Sequence, residues 1–563
     1  MAEHEHDVLV IGSGAGGGMA AYMLTQSGVK VHLLEAGRDY DPASETAMFS
    51  SAREAPLLGV GTPDKEFGYF NATIDGGWQI DGEPYATGED SEFQWWRTRM
   101  LGGRTNHWAR NSFRMGKYDF KPQTRDGLGF DWPMTYAEMA PWYDRTEKLI
   151  GVYGVNSGLR NHPDSGEGVL QPPPKARVPE LFAAAAARDL GIPCEPARRA
   201  VLTRDPGDGR SPCFWATDCG RGCNIGAAFQ TTTSLLPWAR STGHLTITTD
   251  AMVYEITTGE DGKANGARYI DKVSGEHKFI GARAVVLAAS ACESARILLN
   301  SNAKDSGGLA NSSGQIGRNL MDTVGSGITG QIPALESRPR YNEDGAMGMH
   351  VYIPFWLYEE QLAGQLDFPR GYHLETYSQF SAPGMGSGSG LDGYGRATLE
   401  SARRYYGSFI HFAQRGEMIP NPNCYAEIDG EQKDKFGIPT LKFHYKHSEH
   451  EYAQVAHAQQ ASIEIIERMG GKVTGNVPAP EDAIAAGGVI IHEVGTARMG
   501  ASASDSVTNS FGQSWDVPNL YVLDGAIFSS KAHKNPTLTI LALAMRGADH
   551  MVTQMKQLSL IHI

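Results

Sequence analysis

Near its start the chain carries a short apolar run, Val8 to Ile11, with no polar alternation. A run of that kind predicts a strand buried on both faces of a parallel sheet. A glycine-rich turn follows, and then a stretch of helical composition from about Gly18 to Gln26. "VKVHLLE" predicts a second strand ending at Glu35. Farther along, Pro133 and Thr135 introduce an amphipathic helix, and 282–301 reads as a strand running into a helix. Near the end, "NLYVLDGA" and "NPTLTILALAMRGADHM" place a helix start at Pro536. Strands alternating with helices predict an α/β fold. The stretch 162–179 reads as an exposed connection, and 381–396 as a long flexible loop or lid. There is no internal repeat, heptad pattern or low-complexity block.

Composition narrows the class. The 563 residues are 41% hydrophobic and 20% charged, enough for a large core and two or more domains. A net charge of −14 argues against a nucleic-acid surface, which would be basic. No apolar run reaches the roughly 20 residues that span a bilayer. "MAEHEHD" is acidic and unlike a signal peptide, so export by an ordinary signal of this chain's own is not expected. Six cysteines are too few for a disulfide scaffold.

The glycine-rich turn is Gly12-x-Gly14-x-x-Gly17, set between strand and helix, with Glu35 18 residues beyond Gly17. Gly12 allows the tight turn, Gly14 lets backbone approach a pyrophosphate, and Gly17 lets helix pack on strand. The helix start offers free N–H groups to phosphate, and Glu35 would accept from ribose hydroxyls. This context makes a dinucleotide site, though the motif does not choose between FAD and NAD.

"CFWATDCGRGC" places Cys213, Cys219 and Cys223 in a C-x5-C-x3-C spacing. By itself this fits plain packing, a disulfide with one thiol spare, a strained zinc site or an iron–sulfur cluster.

Five ordered segments then carry a resemblance: the fingerprint, GGRTNHW, VVLAASACESARILL, GRNLMD, and the pair HEVGTARMG and LDGA…NPTLTI. Together they resemble the glucose–methanol–choline (GMC) family of flavin oxidoreductases along the whole chain. The resemblance implies FAD and a discontinuous Rossmann-like FAD-binding domain at 1–160, 200–330 and 485–555, including an insertion at 212–224. It also implies an antiparallel-sheet substrate domain at 161–199 and 331–484, with a tail at 556–563. FAD-binding positions carried over are Gly12, Gly14, Ala15, Gly17, Glu35 and Ala36 in the fingerprint unit, and Gly103, Asn106 and His107 in GGRTNHW. Val253, Asp524, Gly525, Pro536 and Thr537 complete the set.

His492 is implied as the catalytic base and Asn535 as its partner on the same oxygen. The chemistry suits them, because an imidazole titrates near neutrality and an amide fixes geometry without titrating. His533, two residues from Asn535 but off the family register, ranks second. Related pyranose oxidases attach FAD through a His in a similar T-H-W setting. A covalent bond at His107 is therefore a minority alternative, predicting yellow colour retained after denaturation.

Within the family the thiol spacing resembles bacterial multi-subunit sugar dehydrogenases, whose three cysteines hold a [3Fe–4S] cluster. Pro212 stands where many of them carry an extra cysteine, so a fourth ligand is not expected. Gly220 and Gly222 are expected to bring N–H donors to the sulfurs, and Arg221 positive charge. The subgroup implies a dehydrogenase acting on a sugar or glycoside hydroxyl, first among them the 3-hydroxyl of a glucoside, then glucose, fructose or sorbitol. It also implies a small twin-arginine-type subunit, a cytochrome c acceptor and a periplasmic setting, with the cytoplasm as the alternative. An oxidase using O2 with merely structural thiols, or a non-catalytic flavoprotein, are the competing readings.

Overall fold

The computed structural model describes residues 6–50, 52–63, 65, 68, 75–215, 217–301, 307–339, 348–378 and 394–557. The strand His6–Ile11 pairs in parallel with Val31–Leu34 on one side and with His277–Leu287 on the other. Leu245–Thr248 extends the sheet beyond Val31–Leu34, also in parallel. Val8, Leu9 and Val10 have no exposed surface, as an apolar run in a two-sided parallel sheet requires.

His277–Leu287 divides its pairing. Its first half runs antiparallel to Ala264–Asp271, while Val285 to Leu287 runs parallel to Leu520–Val522. The last strand of the chain is thereby returned to the sheet of the first, with His277–Leu287 between them. That return explains how residues near 12 and near 524 come to share one site.

The helix after the glycine turn spans Ala15–Gln26 and starts earlier than its apolar pattern suggests. Gly12, at φ +98°, completes the turn so quickly that Gly14 is already the cap residue. Thr135 and Glu138 form the capping box of the helix Tyr136–Ile150. That helix packs on the terminal helix Thr537–Gln557, where Tyr143 Oη lies 2.9 Å from Thr539 Oγ1.

A second sheet of six strands is antiparallel throughout, in the order Lys472–Val473, Val324–Gln331, Phe409–Gly416, Tyr372–Tyr377, Val351–Ile353, Glu195–Pro196. A division of the chain at 330 falls at the end of its strand Val324–Gln331. The helix Glu449–Arg468 covers one face, which is apolar: Ile328, Leu374, Ile410, Phe412, Ile465 and Ile466 form its core. The two sheets have separate hydrophobic clusters, and the candidate site lies between them.

Two loop expectations change. The stretch 162–179 is not simply exposed. His162 and Ser165 are buried, Ser165 donating to Glu147 Oε2 at 2.7 Å, and the helix Val178–Asp189 has begun by its end. These polar side chains are drawn inside because buried partners await them. Of the stretch 381–396, residues 381–393 lie outside the described residues.

Candidate active site

A cavity of about 530 Å³ runs from the glycine turn to the second sheet. Its first part is the dinucleotide cradle. A Cβ on Gly14 would meet nothing within 4 Å, so Gly14 presents open backbone to the cavity. A Cβ on Gly12 would fall 2.3 Å from Ala288 O, and one on Gly17 1.9 Å from Gly12 O. Those two glycines therefore serve close packing, and Gly17 does not line the cavity. No side chain caps Ala15–Gln26, which leaves its first N–H groups for an anion. Glu35 accepts from Ser13 N at 3.0 Å and Ser13 Oγ at 2.5 Å on one oxygen, and from Gly37 N at 2.7 Å on the other. The second oxygen keeps an acceptor site for a ribose hydroxyl. Open backbone, uncapped helix and ribose carboxylate together fit FAD.

Ala15, Ala36, Gly103, His107, Val253, Asp524, Gly525, Pro536 and Thr537 also line the cavity. Asp524 ties two segments together, accepting from Ser290 N at 3.0 Å, Ser294 Oγ at 2.5 Å and Ala526 N at 2.8 Å. Burial lifts its carboxyl to about 6. Asn106 is different from the expectation. It is fully buried behind the lining, with Nδ2 donating to Leu101 O at 2.8 Å and Oδ1 accepting from Thr232 Oγ1 at 2.8 Å. It shapes the GGRTNHW loop rather than touching the cavity. His107 Nε2 sits 3.1 Å from Thr98 Oγ1, and burial, with Arg110 and Arg104 nearby, pushes the ring down to about 3.

His492 and Asn535 stand in the wall of this same cavity. Two contacts and a strained neighbour fix His492. Its N–H donates to Asp322 Oδ1 at 2.9 Å, its Nδ1 lies 2.9 Å from Thr323 Oγ1, and the preceding Ile491 sits at φ +62°. A β-branched residue there is strained. Arg104 holds the strained turn by donating to Ile491 O at 3.2 Å and pairing with Glu493. Burial, then Lys531 and Arg415, keep the imidazole well below its usual range, so it is neutral near pH 7.

Asn535 Nδ2 donates to Glu375 Oε1 at 3.2 Å, and Asn111 Nδ2 donates to that same oxygen. On the other oxygen, Tyr377 Oη donates at 2.8 Å and Arg415 Nε pairs at 3.1 Å. Burial opposes the charge on Glu375, yet Arg415 and His373 hold the carboxyl well below the usual range. Glu375, Tyr377 and Arg415 come from the antiparallel sheet and close the cavity opposite the cradle. Sequence reasoning missed them, along with Asn111, Arg104, Asp322 and Thr323. Arg104 and Asp322 stand in segments that carry the family resemblance, GGRTNHW and GRNLMD.

His533 faces elsewhere. It lines a separate, water-sized cavity with Tyr358, His373 and Lys534, its Nε2 3.0 Å from Tyr358 Oη and 2.6 Å from Lys534 Nζ. Tyr352, Pro354 and Phe355 also line that small cavity, while Glu375 and Tyr377 line the main one.

The thiols of Cys213, Cys219 and Cys223 pack in one small apolar cluster with Met48, Tyr153 and Ala228. Asp218 and Gly220 of the same loop reach the main cavity. Burial first, then Cys219, pushes the Cys213 thiol up to about 12, and burial raises Cys223 too. Among the described residues no three His, Cys, Asp or Glu side chains converge as metal ligands. The expected donors also differ. Trp215 N donates to Cys213 Sγ at 3.3 Å and Ala228 N to Cys223 Sγ at 3.4 Å. Gly220 N instead donates to Asp218 Oδ1 at 2.7 Å, because Asp218 caps the turn. A buried cation, Arg110, donates to Cys219 O at 3.0 Å.

Two models of the family described as GMC oxidoreductase match the chain, over residues 9–324 and 420–544. A 2-methyl-1,2-propanediol dehydrogenase of Mycolicibacterium austroafricanum is 31% identical over 560 residues, covering 97% of this chain and 95% of that protein. The fructose dehydrogenase large subunit of Gluconobacter japonicus is 28% identical over 571 residues, covering 98% of each. Among solved structures, a pyridoxine 4-oxidase from Mesorbium loti superposes with a TM-score of 0.65 at 17% identity, over 97% of this chain and 99% of that one. At that identity the likeness concerns the fold. No helix of the described residues is long and apolar enough to cross a membrane.

Proposed function

The chain belongs to the GMC oxidoreductase family, and from that premise we propose that it is an FAD-dependent dehydrogenase oxidising a secondary hydroxyl of a sugar or glycoside to a ketone. The 3-hydroxyl of a glucoside is the leading substrate, with fructose, sorbitol or the glucose C1 hydroxyl behind it. One observation carries the reading: His492 and Asn535 stand in the wall of the cavity whose other end is the Gly14 cradle.

Oxidation of an alcohol removes the O–H proton and a hydride from carbon. Bound FAD supplies the two-electron acceptor for that hydride. His492 takes the proton. With Nδ1–H donated to Thr323 Oγ1, Nε2 keeps its lone pair for the substrate hydroxyl. Asn535, anchored by Glu375, meets the same oxygen and holds it in place. The backbone from Gly12 to Ala15, with Glu35, Ala36, His107, Val253 and the Asp524–Thr537 stretch, would hold the cofactor. In domain terms, residues 1–160, 200–330 and 485–555 are assigned to the cofactor and 161–199 with 331–484 to the substrate.

The thiols extend the proposal. Cys213, Cys219 and Cys223 are assigned as ligands of a [3Fe–4S] cluster, a one-electron outlet beside the flavin. Their shared cluster, two N–H···S donors and the reach of Asp218 to the cavity support this. A small second subunit, a cytochrome c acceptor and a periplasmic setting complete the reading. That the Gluconobacter relative is a large subunit supports a multi-subunit assembly.

The experiment is an anaerobic panel of sugars, glycosides and polyols followed by flavin bleaching, with product NMR to locate the oxidised carbon. Failure of every alcohol to bleach the flavin would end the proposal. Iron content and EPR of the isolated protein test the cluster. An oxidase reducing O2 directly, with the thiols only packing their apolar cluster, is the second reading, and hydrogen peroxide formed in air would identify it.

A further inference from the structure

Glu375 does more than close the cavity. Its Oε1 receives the side-chain amide N–H of both Asn111 and Asn535. An ionised carboxylate only accepts hydrogen bonds, so each amide must turn its NH2 toward Glu375 and its carbonyl oxygen away. Reversing either amide would set carbonyl oxygen against carboxylate oxygen. The partners of Glu375 keep it charged, with Arg415 Nε at 3.1 Å and Tyr377 Oη at 2.8 Å.

The consequence is a matched pair of acceptors. Asn111 Oδ1 and Asn535 Oδ1 are both buried and both without a hydrogen-bond partner in the protein. Their residues are 1% and 5% exposed, and both line the main cavity. Two amides anchored on one atom must lie side by side. Orphaned acceptors in a buried site call for donors, and hydroxyl groups are the donors an alcohol brings.

We propose that Asn111 Oδ1 receives the hydroxyl on the carbon next to the one oxidised, while Asn535 meets the oxidised oxygen through its second Nδ2–H and leaves that hydroxyl's one proton to His492, so that the enzyme selects alcohols carrying a second hydroxyl on the neighbouring carbon. Asn111 is then a specificity-determining residue, and Glu375 the positioning residue for both amides. This deepens the reading of the cavity as an alcohol-oxidising site and rests on it. A lone alcohol leaves Asn111 Oδ1 unpaired in the closed site, and such mispairing discriminates strongly.

The test is equilibrium binding to dithionite-reduced holoenzyme, which cannot oxidise an alcohol. Isothermal titration would compare cis- and trans-1,2-cyclohexanediol with cyclohexanol. At least one diol should bind about ten-fold or more tightly than the mono-ol. In Asn111→Ala that ratio should fall toward one. In Asn111→Asp the two carboxylates are forced together, and the ratio should fall as well. A merely structural role for Asn111 would weaken both ligands alike and leave the ratio in place. Equal binding of diols and mono-ol to the wild-type protein overturns the inference, as does an Asn111→Ala ratio within two-fold of wild type. Flavin bleaching of the oxidised enzyme by the same alcohols separates the two readings. Bleaching by cyclohexanol as readily as by either diol overturns the diol preference alone, whereas bleaching by no alcohol at all overturns the alcohol-oxidising site itself.

Discussion

Thr323 Oγ1 lies 2.9 Å from Nδ1 of His492, and Asp322 next to it accepts the His492 backbone N–H. One short segment thus sets the position of the imidazole from both its backbone and its ring. Thr323→Val should lower the rate of flavin reduction by about ten-fold or more, since the ring loses the partner that holds its orientation. His492→Ala should lower it by about 10²–10⁴-fold, the usual contribution of a general base. Single-turnover stopped-flow measures both. A Thr323→Val rate equal to wild type would mean that the ring is oriented by other contacts.

The pH profile follows from the same ring. Burial, with Lys531 and Arg415, depresses His492 below the ordinary imidazole range of about 6.5. A depressed base is unprotonated, hence competent, through neutrality, and is lost only as pH falls well below that value. Flavin reduction should therefore be flat between about pH 6.5 and 8 with respect to this group. Lys531→Met removes one of the depressing cations, so the acid limb should move to higher pH, read from the reduction rate against pH.

The buried histidines bear on acid stability. His162, His373, His492 and His533 are all depressed, chiefly by burial. The unfolded chain binds protons at these sites below about pH 6.5 while the folded chain does not. Stability is accordingly retained above that pH and falls as pH drops beneath it. Thermal unfolding should shift to lower temperature between pH 6.5 and 5, measured by circular dichroism.

Two glycines of the fingerprint should fail in different ways. Gly14→Val fills open space in the cradle, so the protein should fold but carry little flavin. Gly17→Ala places a methyl 1.9 Å from Gly12 O, so folding itself should suffer. The ratio of flavin to protein absorbance, beside the melting temperature, distinguishes the two.

Arg104 braces the turn that presents His492. Arg104→Met frees Ile491 from its φ of +62° and leaves Glu493 unpaired. The rate of flavin reduction should fall about ten-fold while flavin content is retained, because the loss is one of orientation.

The cradle was legible in the sequence because its physics is local. Glycine offsets, a strand before them and an acid after the next strand are all written within 30 residues or so. His492 and Asn535 were legible only as members of ordered segments, and the return of Leu520–Val522 to the first sheet is what unites them. Glu375 was not legible. His373, Glu375 and Tyr377 alternate with Tyr372 and Leu374, which says that they share a face. Nothing in the alternation says that this polar face meets a cofactor cavity rather than water. The rival His533 shows the same limit: two residues of register separate it from Asn535, and only packing reveals that it turns to another cavity. The thiols, close in sequence, gather in one apolar cluster, while Asp218 caps the turn between them and takes the Gly220 N–H that was expected at a sulfur.

Glu375 reaches Asn535 from a strand that belongs to the other half of the molecule. The two halves are therefore not interchangeable parts. A chimera that borrows its substrate sheet from a relative inherits that relative's answer to the question of which way Asn535 points. An engineer seeking a new substrate would do well to redraw the sheet around Glu375 and leave the carboxylate itself alone.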